Sequence, residues 1–149
     1  MTAPARRLLV PVDGSDAGGA ALDVAASLAR ELGGTVTLLA IAAAAPPTAD
    51  PLTGIATALP ERQQVLDQLA QEQLGDATAR IGDGVDVRTS LSWAPAGAAI
   101  VEHAETGEHD AVVVPWPERG ALGHLLHDHA VRHVLAHCRL PVLVVPNAR

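Results

Sequence analysis

The chain contains no phenylalanine, no tyrosine and only two tryptophans, Trp93 and Trp116. A core built from it must be packed with alanine, valine, leucine and isoleucine. The same scarcity removes the aromatic platforms on which single-stranded nucleic acid stacks. Cys138 is the only cysteine, so an intrachain disulfide is excluded. That fits a reducing compartment. Ten basic residues stand against seventeen acidic ones, a net charge of -7, and no basic block occurs. Nucleic acid and acidic membranes are therefore poor partners. Long hydrophobic runs are missing too. Leu8 to Val12 is too short for a signal-peptide core. Val36 to Ala45 is too short to cross a bilayer. A soluble, cytoplasmic protein is expected.

What is present is enough for one good core. Apolar residues make up 48% of 149 residues, which suits a folded chain and a single domain over 1–149. Leu8 to Val12 is continuously apolar, as in a strand buried on both faces. Gly14 allows a turn, and Ser15 is a suitable N-cap. From Ala17, apolar residues at 20, 21, 24, 25, 28, 29 and 32 trace one face of a helix that stops at Gly33-Gly34. Thr35 to Ile41 is a second buried strand. Ala42 to Pro60, with four prolines and one charge, reads as a long connection, functional or simply a tolerated insertion. Helical spacing resumes over Glu61 to Ile81. Val85 to Ser92 alternates like an edge strand, and Pro95 opens a helix running to about Thr106.

The organising stretch is Ala111 to Val145. Ala111 to Val114 is a strand, Pro115 to Gly123 a loop, His124 to Cys138 roughly a helix, and Pro141 to Val145 a returning strand. Alternating strands and helices predict a parallel α/β sheet with helices on both faces. If the first and fourth strands are neighbours where the winding reverses, a crevice opens beyond their carboxyl ends. Asp13 would stand on one side of it and Pro115 to Gly123 on the other.

Three stretches carry a family resemblance. They are Leu8-Leu-Val-Pro-Val-Asp-Gly-Ser15, His109-Asp-Ala-Val-Val-Val114 and Val134-Leu-Ala-His-Cys-Arg-Leu-Pro-Val-Leu-Val-Val145. In that order and spacing the chain resembles the universal stress protein family, as a UspA-like domain, over nearly its whole length. The resemblance implies a three-layer αβα fold with a five-stranded parallel sheet ordered 3-2-1-4-5, adenine nucleotide alpha hydrolase-like. It implies a stress-response or regulatory role. It also implies a homodimer through the last strand, where Val142, Leu143, Val144 and Val145 would otherwise form an exposed apolar edge.

In one branch of that family the loop after the fourth strand binds ATP, through glycines that admit phosphates to backbone amides at a helix start. The pattern is Gly, two residues, Gly, nine residues, Gly, then Ser or Thr. With the register fixed from Pro141 and the preceding helix, those positions fall on Pro115, Glu118, Asp128 and His129, and none matches. A register using Gly120 and Gly123 would put the last pair at His133-Val134, inside the helix. Pro115 removes an amide donor. Glu118 and Asp128 place carboxylates where phosphates would lie, and like charges about 4 Å apart cost on the order of 4 kcal/mol. Mg²⁺ or protonated His127 and His129 would offset part of this. The chain is therefore expected to be of the type that does not bind ATP in the usual mode. If a nucleotide binds, the resemblance implies contacts from Asp13, Ile41, Arg119, Gly120 and Gly123. The rival reading is a rearranged nucleotide site with at most slow ATPase activity. For Asp13, capping the turn before the first helix is the structural alternative.

The histidines cluster at 124, 127, 129, 133 and 137. His129, His133 and His137 lie four apart on one helix face, with Asp128 nearby as a further ligand, a spacing that can hold Zn²⁺. The apolar stripe of that helix is elsewhere, at Ala130, Val131, Val134, Leu135 and Cys138, which favours wet histidines over a metal site. No cofactor is expected, with ATP the low-ranked candidate. Trp116 either plugs the crevice or packs on the surface. No catalytic constellation is evident: Ser15 is not in a nucleophile elbow, and His103 and Glu102 lie on a helix with no evident nucleophile beside them.

Overall fold

The computed structural model describes residues 6–14, 16–42, 60–106, 108–116 and 128–146. Five strands and four helices alternate: β1 (Arg7–Val12), α1 (Asp16–Leu32), β2 (Thr35–Ile41), α2 (Pro60–Ile81), β3 (Asp86–Ser92), α3 (Ala96–Ala104), β4 (Ala111–Pro115), α4 (Asp128–His137) and β5 (Val142–Val145). All strand pairs are parallel, and the sheet order is β3-β2-β1-β4-β5. The expected fold class and strand order are both found.

The period-two alternation of the strands sorts side chains to two cores. Leu8, Val10 and Val12 point to one face with Val36, Leu38 and Ala40, where α1 and α2 cover them. Leu9, Leu39, Ile41, Val112 and Val114 point to the other, under α3 and α4. Alanine takes the place of the missing aromatics. Ala21, Ala25, Ala26 and Ala29 of α1 are buried, and these small residues let the helix backbone lie close to the sheet. α1 ends because Gly33 takes φ +62 and the Gly34 N–H donates to Ala29 O at 2.8 Å, a hydrogen-bonded helix stop. Pro95, extended at φ -55 and ψ 146, starts α3, and its carbonyl accepts the Ala99 N–H at 2.8 Å.

Several boundaries shift by one or more residues from the sequence reading, and two of the shifts have a visible cause. α3 stops at Ala104, before Thr106, whose hydroxyl instead donates to His103 O at 2.9 Å. β4 extends one residue further, to Pro115, which pairs in register with Val145. The Trp116 N–H then donates to Val145 O at 2.7 Å, so the proline costs the strand little. β3 lies at one edge of the sheet, as its alternating pattern suggested, and β5 at the other.

Candidate functional site

The sheet reverses its winding between β1 and β4. β1 pairs with β2 over all six residues, Arg7 to Val12. It pairs with β4 only at Leu8↔Ala111 and Leu9↔Val112. The ladder therefore stops well short of the carboxyl ends. Pro11 in β1 and Pro115 in β4 lack the N–H groups a continued ladder would use. This is the crevice position of an open parallel sheet.

Three of the residues named from sequence meet at that end. Asp13 follows β1 and is only 6% exposed; Ile41 closes β2 and is buried; Pro115 closes β4 and is buried. Gly14 takes φ +77 and turns the chain away from the sheet. Glu118, Arg119, Gly120 and Gly123 lie outside the described residues, as do Ser15, His124, His127 and the connection 43–59. Asp128 and His129 are the first two residues of α4, and His129 is exposed. Trp116 is 60% exposed, so it packs on the surface and does not fill the crevice.

The histidines of α4 take up separate tasks. His133 packs on α3, against Gly97. Its ring stacks with that of His137 at a centroid distance of 4.3 Å. His137 Nδ1 donates to His133 O at 2.9 Å. Among the described residues no three His, Cys, Asp or Glu side chains gather as a metal site would require. Cys138 is half-buried against the α3–α4 core.

One pairing was not visible in the sequence. Ser90 of β3 and His103 of α3 lie with Oγ and Nε2 3.1 Å apart. His103 Nδ1 donates to Ala99 O at 2.9 Å, which leaves Nε2 to accept the Ser90 hydroxyl proton. A hydroxyl therefore does stand beside His103, contrary to the sequence reading. Its evident work is to tie the edge strand to the helix above it.

Sequence reasoning also missed a cleft beside Asp13. About 440 Å³ in volume, it lies between the first turns of α1 and the second half of α2. Val12, Leu22 and Ala77 give it an apolar floor, and Asp13, Gln73, Asp76 and Arg80 give it polar walls. Gln73 Nε2 donates to Asp13 O at 3.1 Å and packs over Gly14. Arg80 holds Asp23 through two hydrogen bonds of 2.9 Å, Nε to Oδ1 and NH2 to Oδ2. That bond keeps the Asp23 carboxyl below the usual range. The available signal was the spacing 73, 76, 77, 80, which places these residues on one face of α2.

A parallel sheet ordered 3-2-1-4-5, covered on both faces and open at its point of reversal, defines a class: α/β domains built to receive ligands at strand ends. The family follows from the sequence profile of the universal stress protein family, which matches residues 4–146. The chain belongs to that family. Solved structures share the fold. A universal stress protein family member from Burkholderia pseudomallei is 19% identical with a TM-score of 0.70, covering 98% of this chain and 99% of its own. The universal stress protein from Archaeoglobus fulgidus is 22% identical with a TM-score of 0.71, covering 94% and 98%. The Archaeoglobus fulgidus protein in complex with dAMP is 20% identical with a TM-score of 0.65, covering 97% and 99%. No curated protein matches the sequence. Among the described residues no helix is long and apolar enough to cross a membrane.

Proposed function

We propose that this chain is a homodimeric stress-response module that acts through regulation or interaction and does not bind ATP in the usual mode. The observation that carries this reading is the end of β4. The residue at the first glycine position of the phosphate motif is Pro115, a buried strand residue paired with Val145. It has no amide to offer a phosphate. α4 then opens on Asp128 and His129, where the family pattern has glycine followed by Ser or Thr. An acidic residue at a helix start disfavours an anion there.

The dimer reading rests on β5. It is an edge strand of apolar residues, with Leu143 43% exposed. Such an edge is normally covered or charged. A second copy of the chain would cover it. The protein is read as cytoplasmic, in keeping with its single cysteine.

A second reading has one observation in its favour. The Archaeoglobus fulgidus relative of the same fold is in complex with dAMP, and Asp13 and Ile41 stand at the ends of adjacent strands here. In that reading the crevice takes a nucleotide through a rearranged loop, with slow ATPase activity at most. Calorimetry with Mg-ATP and with AMP separates the two. Heats no larger than dilution support the first reading, and micromolar binding of ATP overturns it.

A further inference from the structure

The Ser90–His103 contact has more in it than a tie between strand and helix. The Ala99 carbonyl is an acceptor only, so His103 Nδ1 carries the imidazole proton and donates it across 2.9 Å. That bond fixes the tautomer and the tilt of the ring. Nε2 keeps its lone pair, and the Ser90 hydroxyl stands 3.1 Å from it, within reach of a general base. A hydroxyl, a base and a third group that orients the base are the parts of an activated nucleophile. Ser90 and His103 are both half-buried, so neither is closed off from solvent.

The strand that carries Ser90 adds two further parts. β3 is an edge of the sheet. Ser92 O accepts the Ala42 N–H at 2.7 Å, so the backbone groups of Ser92 face β2. By alternation those of Ser90 face β2 as well, and those of Leu91 face the open edge. Among the described residues the Leu91 N–H has no acceptor. It is the amide that follows the serine, a position from which a backbone donor can meet an oxyanion. Arg88 lies two residues before Ser90, so its side chain leaves the same face of the strand about 6.6 Å away. It is exposed, and neither Glu102 nor any other described carboxylate pairs with it.

We infer that Ser90 is an acyl-acceptor site, modified by an activated ester or thioester that carries an anionic group. Ser90 Oγ attacks the acyl carbonyl carbon while its proton passes to His103 Nε2. The tetrahedral intermediate, with its oxygen toward the Leu91 amide, collapses with loss of the alkoxide or thiolate, which takes the proton from His103. The Oγ–C bond forms, the bond from the acyl carbon to the leaving oxygen or sulfur breaks, and nothing is oxidised or reduced. Arg88 holds the donor's anion. The acylated Oγ has no proton to give His103, so the modification also unties β3 from α3. β2 separates β3 from the β1–β4 crevice, so the inference does not depend on whether a nucleotide binds there.

The test uses the full chain and two esters with nitrophenolate leaving groups, neutral 4-nitrophenyl acetate and anionic 4-acetoxy-3-nitrobenzoate. Competing acceptors are few, because all ten basic residues are arginine and the chain has neither lysine nor tyrosine. Acetylation is followed by intact mass, and its site by peptide mapping after neutral hydroxylamine, which strips thioesters and acylimidazoles and spares serine esters. An acetyl group on Ser90 is expected, with the exposed Ser27 unlabelled. With each rate scaled to hydrolysis in buffer, the anionic ester is expected to react about fivefold faster, the size of one exposed ion pair. The net charge of -7 would give the opposite order. His103→Gln is expected to slow acetylation of Ser90 about a hundredfold with both esters. Arg88→Gln is expected to remove the preference for the anionic one. Circular dichroism confirms that both variants remain folded. The inference is overturned if Ser90 of the parent chain is acetylated no faster than Ser27, a comparison that needs no variant. It is also overturned if His103→Gln acetylates Ser90 at the parent rate, or if the neutral ester reacts as fast as the anionic one.

Discussion

The backbone of Gly97 in α3 is the seat of His133 in α4. A Cβ at residue 97 would lie 2.9 Å from His133 Cβ and 3.0 Å from two of its ring atoms. The two helices that cover one face of the sheet therefore meet where a side chain is absent. Gly97→Ala would push against a Cβ, which cannot move without its backbone. Overpacking costs about 1–3 kcal/mol, while the better helix propensity returns about 1 kcal/mol. We expect a lower urea midpoint at an unchanged slope. Gly19→Ala is the contrast. There the obstacle is the far end of Arg80, which can swing aside. The propensity gain and the loss of an exposed ion pair nearly cancel, leaving stability within about 1 kcal/mol of the parent.

Stability should fall on the acid side in two separate windows. His109 is buried, and burial holds its pKa below the ordinary imidazole value, against the Nδ1 hydrogen bond to His103 O at 3.0 Å and the pull of Glu108. Nearby His103 and Arg7 add to the lowering. The unfolded chain therefore takes up the proton first, and stability is lost as pH falls below about 6.5. Asp110 accepts from the Arg7 guanidinium at 2.9 Å and from the Arg6 and Arg7 amides, which lowers its pKa to about 2. Its contribution is fully present above about pH 4 and lost as pH falls toward 2. Urea midpoints from about pH 8 to about pH 2.5 should show both declines. Asp110→Asn should shrink only the lower one, since Asp23, which Arg80 also holds below the usual range, titrates in the same window. A profile in which Asp110→Asn leaves the low-pH decline intact would refute the assignment.

Leu143→Arg should yield monomers in sedimentation velocity, because it puts a charge on the exposed position of the β5 edge. Leu69→Arg, at another exposed apolar position but on α2, should leave the assembly unchanged. If both variants sediment as the parent does, β5 is not the interface.

Restoring the phosphate motif should restore nucleotide binding. The variant Pro115→Gly/Glu118→Gly/Asp128→Gly/His129→Ser replaces all four positions at once. Mg-ATP calorimetry should move from no detectable heat to a Kd on the order of micromolar, a gain of several kcal/mol from lost repulsion and recovered amides. If the parent chain already binds as tightly as the variant, the motif is not what decides binding.

Much of the architecture was legible before any coordinates. β2 matches the predicted Thr35 to Ile41 run, and the remaining elements fall within a few residues of the periodicity. Pro115 was misplaced in the loop because a proline reads as a strand stop. At the last position of β4 its missing N–H does little harm, since Trp116 carries the ladder on to Val145. The cleft was invisible because its walls come from stretches about sixty residues apart, and α2 has no motif to attract notice. The Ser90–His103 pair was missed for the same reason, since a strand and the helix after it meet only once the crossover is closed.

By itself the sequence determined which segments are strands and helices, which faces they bury and which family the pattern resembles. Those depend on hydrophobic period, turn residues and short-range order, all local to the chain. Only the tertiary structure decided that Asp13 shares a cleft with Asp76 and Arg80, that His133 sits on Gly97, and that β1 and β4 stop pairing after two residues. Those are contacts between distant segments, fixed by how the helices settle on the sheet, and no spacing along the chain encodes them alone.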